Sequence, residues 1–87
     1  MRIWKLYAIY DKVAMVYSEM PFKAHNDNDA KRAFMKFCEQ PDINPVELML
    51  MEVGEYDRVE GKIKGYDVTN IVMEGVNMER EVANEQT

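Results

Sequence analysis

The sequence predicts a small α+β domain in which an antiparallel sheet of about four strands, in ββαββ order, carries one amphipathic helix on one face. Three observations predict it. The chain is 87 residues long, enough for one domain and too short for two. Apolar residues recur as Ala30, Ala33, Phe34, Phe37 and Cys38, the i, i+3, i+4, i+7, i+8 pattern of one helix face. Runs rich in β-branched and aromatic residues lie on either side of that stretch. The domain is expected over 1–75, followed by an acidic, flexible tail over 76–87.

The first strand is read over Arg2 to Tyr10 (RIWKLYAIY). Both its faces are largely apolar, so it belongs in the interior of the sheet. Asp11-Lys12 breaks the run, and Val13 to Glu19 forms the second strand of a hairpin. Met20-Pro21 ends that strand, because proline cannot donate to a ladder, with Phe22 and Ala24 continuing as an extended edge segment. His25 to Asp29 supplies short polar side chains that cap the free amides of a first helical turn. The helix runs from about Asn28 to Gln40 and is stopped by Pro41. Glu47 to Val53 is the third strand, with Leu48 and Leu50 on one face and Met49, Met51 and Val53 on the other. Gly54 to Asp57 continues it or bulges. Val59 to Gly61 turns the chain, Lys62 to Tyr66 begins a fourth strand with Ile63 inward, and Asp67 to Met73 adds a short strand.

Composition narrows the function. The net charge is −5, yet residues 1–40 hold seven bases and five acids, so the basic surface is confined to the first half. The tail from Glu74 onward holds four acids and one base. The single cysteine, Cys38, excludes an intrachain disulfide. A thin core and a sheet apolar on both faces favour a homodimer, with Trp4, Met49 and Met51 needing cover. The longest apolar stretches are only strand length, and the start Met1-Arg2-Ile3-Trp4-Lys5 has no hydrophobic signal region, so a cytoplasmic protein without a membrane partner is expected.

No catalytic apparatus is expected. The single histidine, His25, lies before the helix with no nucleophile in view, and Cys38 packs on the buried helix face. One Cys and one His cannot make a zinc site. Asn26 to Asp29 lacks the glycine and the terminal glutamate of a calcium loop, so capping explains it better. The four glycines form no phosphate-binding motif, and no cofactor is expected.

One constellation suits nucleic acid. Trp4, Tyr7, Tyr10, Tyr17 and Phe22 interleave with Arg2, Lys5, Lys12 and Lys23 in the first hairpin. Single strands are commonly held by rings that stack bases and by basic groups that meet phosphates. The candidate phosphate contacts are Arg2, Lys5, Lys12 and Lys23, with Lys31, Arg32 and Lys36 of the helix as a second patch. The candidate stacking residues are Trp4, Tyr7, Tyr10 and Tyr17, of which only those that prove exposed can serve. The rival reading makes the aromatics a sheet core.

Several segments also carry a family resemblance. K-L-Y-A-I-Y-D (Lys5 to Asp11), P-F-K-A-H-N-D-N-D-A-K-R-A-F (Pro21 to Phe34), E-L-M-L-M-E-V-G-E-Y-D (Glu47 to Asp57) and G-K-I (Gly61 to Ile63) resemble the small non-structural protein of gokushoviruses, the single-stranded DNA phages of the Microviridae. The resemblance spans about residues 4–75. It implies a protein of the host cytoplasm that binds DNA, or that acts in the switch from duplex replication to single-strand synthesis and packaging. The implied partners are single-stranded DNA, a phage or host replication protein, or both. An alternative is a protein–protein module that modulates a replication initiator or a procapsid without touching DNA.

Overall fold

The longest strand pair in the fold is built by two segments distant in sequence. In a computed structural model, which describes residues 2–76, β1 (Ile3–Asp11) and β4 (Leu48–Asp57) run antiparallel along their whole length. Between them in the chain come β2 (Val16–Tyr17), β3 (Phe22–Ala24), α1 (Asp27–Cys38) and a 3₁₀ turn at Pro45–Glu47. After them comes β5 (Lys62–Glu74), antiparallel to β4. The strand order is β2-β1-β4-β5, and β3 shares the β2 edge of β1. The α+β class, the antiparallel sheet and the single helix are as expected; the sheet is in addition curled and has β3 as a fifth strand.

The same turn is used twice. Asp11-Lys12-Val13 opens one hairpin and Asp57-Arg58-Val59 the other. In each, the aspartate Oδ1 accepts from the backbone N–H groups two and three residues on, at 2.9–3.2 Å. Each turn closes on a residue with positive φ, which is Gly61 in the second (69°) but Met15 in the first (59°). A glycine adopts that conformation freely, whereas a methionine pays a steric cost.

The helix forms where the capping residues stand. Asn26 is the N-cap, its side chain accepting from Asp29 N at 2.9 Å, and Asp27 and Asp29 sit at the positive end. The helix therefore starts at Asp27 and ends at Cys38, slightly N-terminal to the expected span. Ala30, Phe34 and Cys38 face the sheet and join Tyr7, Ala24, Leu48 and Leu50 in the core. Phe22, Phe37, Ile9 and Ile43 pack against it half-buried. Burial of the Cys38 thiol raises its pKa, consistent with packing.

Three expectations are corrected. The second strand, expected over Val13 to Glu19, is reduced to Val16–Tyr17, because the Asp11 turn takes up the first residues. Lys62–Tyr66 and Asp67–Met73 are one continuous strand. Ile63 is not inward: it is 71 % exposed, because it stands opposite Tyr56 on the face away from the helix. The expected flexible tail lies, beyond Val76, outside the described residues.

The sheet is not flat. Val53 has no partner on β1, and four residues of β5, Tyr66 to Thr69, stand opposite that single residue of β4. Such bulges sharpen local twist. The curl brings the outer strands together on the helix-free face, where the Tyr17 hydroxyl lies 3.0 Å from Thr69 Oγ1.

Candidate nucleic-acid interface

Alternation along β1 divides its side chains between the two faces. Ile3, Lys5, Tyr7 and Ile9 point to the helix side; Trp4, Leu6, Ala8 and Tyr10 point to the other. Cross-strand register then builds the helix-free face row by row. Trp4 stands opposite Tyr56, which stands opposite Ile63. The β1–β3 register places Lys23 beside Leu6 and, one step on, His25 beside Trp4. The Trp4 and His25 rings are 4.0 Å apart, centroid to centroid, and tilted by 38°. Lys23 Nζ lies 4.5 Å from the centre of the Trp4 ring, a cation–π geometry.

Towards the other end of the same face, Ala8 pairs with Met51 and Tyr10 pairs with both Tyr17 and Met49. The Tyr10 and Tyr17 rings are 4.8 Å apart. Trp4 and Tyr10 are thus two aromatic stations on one strand, about 20 Å apart at ~3.4 Å per residue. The charge pattern is just as divided. Glu52, Glu55 and Asp57 of β4 pair with Tyr7, Lys5 and Ile3 and so lie on the helix side. On the helix-free face, β1 and β4 contribute Trp4, Leu6, Ala8, Tyr10, Met49, Met51, Gly54 and Tyr56, none of them a carboxylate.

The residues expected to form one site are accordingly split. Trp4 and Lys23 are together and partly open to solvent. Tyr17 is exposed, and Tyr10 is half-buried against it. Tyr7 cannot stack a base, because it is fully buried under the helix and its hydroxyl donates to Asp27 Oδ1 at 2.7 Å. Burial first, and then Asp27, raise the Tyr7 pKa strongly. Lys5 is on the same wrong side, between Glu52 (3.6 Å) and Asp27 (3.9 Å). Arg2 is held by Asp57, with Nε and Nη2 donating to its carboxylate at 3.0–3.2 Å. That pairing raises the Arg2 pKa and lowers that of Asp57. Lys12 lies 4.0 Å from Glu74, and Arg32 lies 3.9 Å from Asp29. Lys31, Arg32 and Lys36 belong to the helix, on the opposite side of the sheet from Trp4.

Two residues of the cluster were not singled out as binding residues from the sequence. Tyr56 joins it only through the β1–β4 register, which no local pattern reveals. His25 reads as a loop residue until pairing of β3 with β1 lays it on Trp4.

A family model described as "Phage ORF5 protein" matches residues 4–78. The chain belongs to this phage family. The match covers every strand and the helix, so the family relationship concerns the whole fold. The search of curated proteins found no match, and the search of solved structures likewise found none. Among the described residues, no helix of this phage protein is long and apolar enough to cross a membrane. No group of three or more His, Cys, Asp or Glu among them is placed to hold a metal ion.

Proposed function

We propose that the protein binds single-stranded DNA, without catalysis and with little sequence preference, through the helix-free face of its sheet. The observation that carries this reading is the Trp4–His25–Lys23 cluster, a large ring with a cation over it on a face whose central strands carry no carboxylate. Lys23 would swing off the Trp4 ring to meet a phosphate, and the ring face it uncovers, with Tyr56 beside it, would stack a base and supply sequence-tolerant affinity. Tyr10 and Tyr17 form a second aromatic pair on the same face, separated from Trp4 by the buried Ala8 and Met51. The resemblance to the gokushovirus non-structural protein supports a role in genome replication or packaging, in the switch to single-strand synthesis, inside the host cytoplasm.

A labelled oligonucleotide titrated at two salt concentrations tests the reading. Binding should weaken as salt rises, because phosphate contacts release counterions, and Trp4→Ala should weaken it at both. Absence of binding at low salt would reject it.

A second reading is a protein–protein module acting on a replication protein or a procapsid. It is favoured by the exposed apolar side chains Val13, Met15, Val16 and Met20 around the first hairpin, together with the acidic balance of the chain. Retention of a partner protein by a variant lacking those side chains would count against it.

A further inference from the structure

The two matching turns differ at a telling position. Met15 N–H donates to Asp11 O at 2.8 Å, and Gly61 N–H donates to Asp57 O at 2.7 Å, so the two backbones close alike. The second turn uses glycine for its positive φ; the first uses methionine, which costs about 1 kcal/mol. No packing inside the molecule offsets that cost, because Met15 is 75 % exposed. Backbone strain of this kind clusters at sites of contact and switching. Val13, also exposed, stands on the same tip, with Lys12 before it. The tip is firmly placed: Lys12 N–H donates to Glu47 O at 2.8 Å, and the Asp11 carboxylate accepts from Val13 and Ala14.

Beside this tip lies an apolar groove of about 510 Å³, lined by Ile9, Val16, Met20, Phe22, Phe37 and Leu48. An apolar cavity of ~150 Å³ holds a benzene ring, so the groove has room for Met15 and Val13 side chains. Among the described residues its lining includes two carboxylates, Asp11 and Glu19, and no lysine or arginine. Asp11 is engaged in its own turn. Glu19 is exposed and makes no ion pair with another described residue. Lys12 does have a neighbour, Glu74 at 4.0 Å, but both side chains are exposed, and such a pair contributes little. Tip and groove are thus complementary: two apolar side chains led by a cation, and an apolar trough edged by a carboxylate. They lie side by side on one molecule, as the two halves of an isologous two-fold interface must.

We propose that the protein is a homodimer in which the β1–β2 tip of each copy enters the groove of the other. Met15 and Val13 fill the apolar lining, and Lys12 meets Glu19 of the second copy. The inference does not depend on DNA binding, because Ile9, Phe22 and Phe37 pack on the helix side of the sheet, away from Trp4.

Sedimentation equilibrium of the full chain, run as a concentration series, should approach twice the 10.2 kDa chain mass. Met15→Gly should raise the dimer dissociation constant roughly tenfold or more, while raising the unfolding midpoint of the dilute, monomeric chain. A variant that folds better and associates worse is not explained by misfolding. Lys12→Glu and Glu19→Lys should each weaken the dimer several-fold. An equal mixture of those two variants should restore association, because opposite charges then meet at both contacts. A chain that stays monomeric at high concentration would overturn the inference, whether its groove takes up a hydrophobic dye or another protein. So would a dimer whose dissociation constant is unchanged by Met15→Gly, or a mixture that associates no better than its components.

Discussion

The two faces of the β1–β4 sheet contain similar amounts of aromatic and aliphatic material and do opposite things with it. On the helix side, Tyr7 and Leu50 are sealed beneath Phe34, and the strand carboxylates are gathered at the margin with Lys5. On the other side, Trp4, Tyr56, Tyr10 and Tyr17 line a surface without carboxylates on β1 or β4. Trp4 and Tyr7 lie on the same short strand, and only the parity of their positions separates a candidate contact from a core residue. The net charge of −5 therefore does not describe the helix-free face, because the acids of β4 are segregated to the other side.

Disturbing one face and measuring the other tests how far the two are independent. Phe34→Ala, which removes the largest buried side chain of the helix, should cost about 3–5 kcal/mol in denaturant unfolding. The DNA affinity of molecules that remain folded should be unchanged. Trp4→Ala should do the reverse, weakening oligonucleotide binding by about 1–3 kcal/mol with a smaller effect on the unfolding midpoint. Tyr7→Phe removes a buried hydroxyl that donates to Asp27, and should cost about 1 kcal/mol of stability without altering binding.

Smaller effects sharpen the picture. Met15→Gly should stabilise the fold by about 1 kcal/mol, since it relieves a left-handed methionine (φ 59°) and makes the first turn like the second. The Tyr66 hydroxyl donates to Glu52 at 2.6 Å, and that bond, followed by burial, pushes its pKa up to about 12 from 10.0. The folded state thus holds the tyrosine proton more tightly than the unfolded chain. The resulting stability is present below pH 10 and lost as pH rises through 12, so Tyr66→Phe should flatten the alkaline limb of a pH–stability curve. Replacing Lys36 on the helix by Ala should leave the salt dependence of binding unchanged, whereas Lys23→Ala should reduce its slope by about one.

Much of the fold is legible in the sequence because local chemistry decides it. Asn26 caps, Phe34 and Cys38 recur at helical spacing, and β1 and the start of β4 have strand composition. Pairing chemistry is not local. The continuity of β5 across Asp67 depends on a bulge opposite Val53, and Ile63 faces outward because of its register with Tyr56. The site was half legible for the same reason. In RIWKLYAIY both faces are apolar, so the sequence could nominate Trp4 and Tyr7 alike, and only packing of Phe34 against Tyr7 tells them apart. Lys5 and Arg2 were plausible phosphate ligands until Glu52, Asp27 and Asp57 were found beside them.

Trp4 is the only tryptophan in the chain, and it stands in the candidate interface instead of the core. The protein therefore carries its own optical reporter at the surface in question. Excited at the red edge of its absorption, where tyrosine and phenylalanine do not absorb, its emission senses His25, Lys23 and whatever rests on them. An unlabelled titration can read occupancy of that face directly, and the same signal followed through denaturation reports when β3 leaves β1.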